Sequence, residues 1–126
     1  MNLESFKHYR TGIPAIDTEH WWLFHLVDRA IATKDRDELE YVLGKLCADW
    51  SRHVAIEESV MSEAGFPYLE PHVLDHGSIS QALASVRCAF TADGTIPDWR
   101  AHALEDLIRN HIDHYDMQYI DYIFKP

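Results

Sequence analysis

The chain has 126 residues, a length that suits one domain, and its 47% hydrophobic content is enough for a packed core. A formal net charge of −10 excludes nucleic acid and anionic membrane as natural partners, because both need a basic surface. Two cysteines, Cys47 and Cys88, are too few for a disulfide framework; no secretory or membrane-spanning run is read, and the expected setting is the cytoplasm. Residues 1–13 read as an irregular N-terminal arm ending in "TGIP", with Pro14 suited to the first turn of a helix. Apolar residues recur with helical period at Ile16, Leu23, Phe24, Val27 and Ile31, which predicts a first helix over about 14–33. In "KDRDELE", Asp35 and Glu38 have capping-box spacing and open a second helix over about 36–64, closed by Gly65. Pro71 opens a third helix to about 92, and after the loop "DGTIPD" a fourth runs over about 98–123. No segment alternates with period two. The fold expected is all-α, an up-down-up-down four-helix bundle with the arm packed outside it.

The stretch "HVAIEESVM" puts a problem to such a bundle. On a helix, His53, Glu57 and Met61 stack on one face, with Ile56 and Val60 beside them. Glu57 then lies in an apolar stripe, where an unpaired charge costs several kcal/mol. The other helices repeat the anomaly. His20 shares the phase of Leu23, Phe24 and Val27; His72 and His76 are spaced i, i+4; His111 and Asp116 lie in "NHIDHYD". A single histidine on an apolar face is more often a satisfied core residue. Four helices each aiming such residues at one axis point instead to a metal centre. Five histidines and two carboxylates exceed the capacity of one tetrahedral zinc and suit two ions sharing bridging carboxylates, which would neutralise Glu57. No glutamate has a histidine three residues later, so the Glu-x-x-His motif of oxygen-activating di-iron bundles is absent. A histidine-rich, carboxylate-poor site favours the ferrous state and reversible dioxygen binding.

The blocks "GIPAIDTEH", "HVAIEESVM", "GFPYLEPHVLDH" and "NHIDHYD" resemble the signature blocks of the hemerythrins, specifically those of bacteria, over about residues 9–122. The resemblance implies two iron ions joined by an oxo or hydroxo group. His72, His76 and His111 would hold one iron, which is coordinatively closed. His20 and His53 would hold the other, which keeps an open position for dioxygen, and Glu57 and Asp116 would bridge the two. Spacing alone leaves the fourth helix open. Residues five apart lie about 140° from each other on an α-helix, and His114 with Asp106 or Asn110 is an equal choice. His111 and Asp116 rest on the resemblance. Leu23, Val54, Leu107, Ile108 and Ile112 are the expected lining of an apolar dioxygen pocket, and Asp17 and Asp49 are considered as acceptors behind the histidines. His8, His25, His102 and His114 match no ligand position and read as surface or capping residues.

The resemblance implies an oxygen binder, storer or transporter with no catalytic residue. Two rivals stand beside it: an oxygen or redox sensor acting on a partner in trans, and a di-iron peroxide or nitric oxide reductase. One departure is plain. Family members commonly have a lysine after the first-helix histidine, where this chain has "HWWLFH". Trp22 lies about 200° from His20 around the helix and points outward. It is expected to be covered by the arm around Phe6 and Tyr9, or by a protein partner or second copy of the chain.

Overall fold

The structure is a computed structural model that describes residues 9–124. Four helical rods form the bundle: α1 (Pro14–Ala32), α2 (Arg36–Glu63), α3 (Leu69–Asp93) and a fourth rod of three pieces. That rod comprises α4 (Asp98–His111), a π turn (Ile112–Asp116) and α5 (Met117–Phe124). There is no strand among the described residues, and no helix there is long and apolar enough to cross a membrane. Each rod packs on its neighbour in sequence, and α1 closes the ring against α4.

The helix ends follow local chemistry. Asp35 caps α2, its side chain accepting from the Asp37 amide at 2.9 Å. The expected capping box does not close, because Glu38 turns back to Arg29 and Thr33 instead. Gly65 takes a left-handed φ of 66° just past α2, the conformation in which a side chain would be strained. The third helix begins at Leu69, two residues before Pro71. Proline in the first turn lacks only an amide that has no helical partner there.

Two apolar clusters fill the bundle. The larger runs from Leu23, Phe24 and Val27 through Leu46, Trp50 and Ile79 to Ile108 and Ile112; the smaller comprises Met61, Phe66, Tyr119 and Ile120. On α2 the passage from one to the other, between Trp50 and Met61, is occupied by His53 and Glu57. On the fourth rod, between Ile112 and Tyr119, it is occupied by Asp116, with His111 just before. The polar residues therefore form a layer across the core. Ile56 does not share that face: it is 52% exposed, while Glu57 is 4% exposed. Tyr9 packs its ring on Phe24, at 5.3 Å between centroids, and does not cover Trp22, which stays 49% exposed. Phe6 and His8 lie outside the described residues.

Candidate metal centre

All seven residues singled out on the helix faces are buried in this layer: His20, His53, Glu57, His72, His76, His111 and Asp116. The i, i+4 spacing brings His53 to Glu57, with Nε2 to Oε2 at 3.2 Å, and His72 beside His76, with ring centroids 4.6 Å apart. The i, i+5 pair meets because the helix changes winding there. The Met117 amide bonds to the Ile112 carbonyl, five residues back. A turn closed in that way stacks residue i over residue i+5, as an α turn stacks i over i+4. His111 Nε2 thus lies 2.8 Å from Asp116 Oδ1. The rival set of His114, Asp106 and Asn110 is exposed.

The histidines sort into two groups. The rings of His72, His76 and His111 lie 4.6–4.7 Å from one another, and His20 and His53 form a separate pair at 5.8 Å. Each carboxylate is shared between the groups. Glu57 Oε1 faces His72 Nε2 at 2.7 Å and His76 Nε2 at 3.0 Å, while Oε2 faces His53. Asp116 Oδ1 faces His111 at 2.8 Å and His72 at 3.1 Å, while Oδ2 faces His20 Nε2 at 3.0 Å and His53 at 3.8 Å. With metal–ligand bonds of about 2.1 Å, donors at right angles lie about 3.0 Å apart. The donor spacings therefore suit a coordination shell. His53 Nε2, His111 Nε2 and Asp116 Oδ1 are buried without an aligned hydrogen bond, a costly condition that a cation among them would relieve. Nitrogen and oxygen donors in this ratio fit an ion such as iron or zinc.

Behind the layer, three acids fix the histidine rings. Glu19 on α1 bonds His53 Nδ1 on α2. Glu58 on α2 reaches His76 Nδ1 on α3 at 2.8 Å, and Asp75 on α3 reaches His111 Nδ1 on α4 at 2.7 Å. A proton held at Nδ1 by a carboxylate leaves Nε2 as a lone pair facing the centre. Asp17 and Asp49, the acids considered from the sequence, do neither. Asp17 accepts from the Thr11 and Gly12 amides and clamps the arm, and Asp49 pairs with Lys45 and Arg52. The sequence signal for the real three was adjacency: each precedes or follows an inward residue, in "EH", "EE" and "DH". About 100° of helix rotation aims it at the next rod.

Charge in the layer is strongly coupled. Burial pushes the His53 imidazolium down, but Glu57, Glu19 and Asp116 reverse this and raise it to about 9. Burial likewise disfavours charge on His111, and Asp116, Asp75 and Glu57 overcome it to raise the ring to about 11. Burial and Asp116 would raise Glu57, yet His53, His111 and His72 bring it down to about 2. Asp116 is also held low by the histidines, against its burial. Aromatic rings close the layer. Trp50 touches His53, His76 and His111, and its Nε1 donates to Ser80 Oγ at 3.0 Å. Tyr115 stacks on His111, and the edge of Tyr119 meets His72. These rings carry no periodicity that separates them from ordinary core.

Of the expected pocket lining, Leu23, Ile108 and Ile112 are buried, Val54 and Leu107 are half-buried, and all five belong to the larger apolar cluster or pack against it. His25 stacks on Trp21 at 4.9 Å, and His102 and His114 are exposed.

Comparison with known proteins converges on the same layer. The hemerythrin HHE cation binding domain matches residues 11–123. A bacteriohemerythrin of Stenotrophomonas maltophilia is 28% identical over 115 residues, 89% of this chain and 75% of that protein. One from Pseudomonas aeruginosa is 26% identical over 114 residues, 88% of this chain and 74% of that protein. No solved structure gives a significant match. With the family match spanning the bundle and a buried layer of histidine, glutamate and aspartate at its centre, the chain belongs to the hemerythrin family of metal-binding domains.

Proposed function

We propose that the protein holds two iron ions and binds dioxygen reversibly at one of them. The observation that carries this reading is the sharing of both carboxylates. Glu57 and Asp116 each turn one oxygen to the three-histidine group and the other to the two-histidine group. A single-ion site has no use for that division. His72, His76 and His111 would hold one iron with a full set of donors. His20 and His53 would hold the other with one histidine fewer, which leaves a position for an exogenous ligand.

Two ferrous ions held there would supply the two electrons that reversible dioxygen binding requires. The chain does the rest. Glu57 and Asp116 offset cationic charge in a buried layer. Glu19, Glu58 and Asp75 hold three imidazoles in one tautomer. Leu23, Ile108 and Ile112 exclude water, which would otherwise promote irreversible oxidation. With these residues apolar and Glu19 engaged with His53 Nδ1, we favour a carrier over a peroxide or nitric oxide reductase. Two unpaired cysteines, Cys47 and Cys88, and an acidic surface suit the cytoplasm. Elemental analysis of the purified protein tests the reading. Two irons per chain support it, and one metal, or zinc, contradicts it.

A sensor acting in trans is the second reading, favoured by one feature. Trp22, half exposed, stands edge-on to Trp21 and His25 on the helix that carries His20. A partner at that surface would sit one helix face from the centre.

A further inference from the structure

We infer that the groove between α1 and α2 is the path by which small ligands reach the two-histidine side of the centre, with Leu23 as the barrier at its floor. The inference rests on the reading that this side keeps an open position. The groove encloses about 360 Å³, far more than the roughly 30 Å³ that a water molecule occupies.

Its lining includes one residue bonded to a histidine of that side and one a helical turn from the other. Glu19 lines it and bonds His53 Nδ1; Leu23 lines it one helical turn after His20 and is only 1% exposed. Among the described residues, two further cavities are lined by no residue bonded to a histidine of the layer: one at the bundle end near Ala30 and Ala101, the other against the arm at Arg10 and Trp21. The three-histidine side is roofed instead. Tyr115 covers His111 and His72, Tyr119 meets His72, and Glu58 and Trp50 flank His76. A ligand reaching the centre from that side has to displace a packed ring. In the groove the buried apolar side chain of the lining is that of Leu23, and rotamer changes of such a side chain are fast.

The charge at the mouth is more balanced than that of the chain. Lys45 and Arg52 both reach the same oxygen of Asp49, at 3.0 and 3.3 Å. With Glu19 and Asp49 these two cations make a lining of no net charge, in a chain of net charge −10, so small anions are repelled less at the mouth than over the chain as a whole.

The test uses the iron-loaded, oxidised full chain and azide as the anionic probe, with binding followed by stopped-flow absorbance. Thr18 lines the groove from an exposed position, so Thr18→Trp plugs the mouth without touching the centre. It should slow azide association and dissociation by the same factor, on the order of tenfold, leaving the equilibrium constant and the absorption band unchanged. Thr95→Trp, in the cavity at the bundle end, should leave both rates alone. Lys45→Glu with Arg52→Glu, at residues 45% and 64% exposed, should slow azide most at low salt and leave the rate for neutral dioxygen on the reduced protein unchanged. If Thr18→Trp fails to load iron, this charge-reversed pair decides alone. Azide rates equal to wild type in the correctly loaded variants overturn the path. An iron-loaded wild type that shows no azide band at all overturns the open position, and the path with it.

Discussion

His111 and Asp116 face each other across 2.8 Å although five residues separate them, because the helix between them widens into a single π turn. The turn is therefore part of the site, and the length of this segment is under a sharper constraint than its composition. Deleting exposed His114 makes the spacing i, i+4 and restores an ordinary helix, so the variant should still bind two metals per chain. Inserting one alanine after Asp113 rotates Asp116 by about 100° more and should abolish metal binding. Metal content and helical circular dichroism of the two variants check this; retention of metal by the insertion variant contradicts it.

Glu57 lies among His53, His72 and His76 with both oxygens engaged. Glu57→Ala should lose both metals. It should also destabilise the metal-free protein by about 3–5 kcal/mol, because buried imidazoles are left with less opposing charge. Urea unfolding with and without metal measures both effects. An equally stable, fully loaded variant contradicts the shared role of this carboxylate.

Asp75 and Glu58 touch histidine nitrogens that face away from the centre. Asp75→Asn and Glu58→Gln keep size and hydrogen bonding but lose the charge that favours one tautomer. Each should weaken metal binding by about 10- to 100-fold. Competition with a chelator reads the affinity.

Proton and metal compete for the same nitrogens. In the metal-free protein, His53 and His111 are raised to about 9 and about 11, so their contribution to stability is complete below the ordinary value of 6.5. It is lost as pH rises through the raised values. Glu57 is lowered from 4.5 to about 2, so its contribution is complete above 4.5 and is lost as pH falls toward 2. The metal-free protein should be most stable between those windows, at about pH 4.5–6.5. Metal loading at pH 7 must displace protons from the raised histidines, so affinity should climb from pH 6.5 to 9. Calorimetry in two buffers of different ionisation enthalpy detects the released protons. Loading without proton release contradicts this account of the layer.

Much of this was legible in the sequence, for identifiable reasons. Helical periodicity placed the four rods, and polar residues within apolar stripes marked the layer, since burying His53 or Glu57 without a partner is too costly to be incidental. The π turn was not legible, because the spacing of His111 and Asp116 points to one face only once the winding has changed. Ile56 was assigned to the inner face on its hydrophobicity, yet its phase turns it to solvent. Glu19, Glu58 and Asp75 do not stand out in the sequence, because each finds its histidine only on the neighbouring rod. Tyr9 was expected over Trp22 on the strength of adjacent aromatics, and the packing sends it to Phe24.

The central claim is a two-iron centre that takes up and releases dioxygen. Its most direct test is the visible spectrum of the reduced, iron-loaded protein through repeated cycles of oxygenation and deoxygenation. The account predicts a charge-transfer band that appears with dioxygen and disappears when it is removed, at two irons per chain. A band that never forms, or one that decays in the first cycle to an oxidised spectrum that deoxygenation does not reverse, contradicts it.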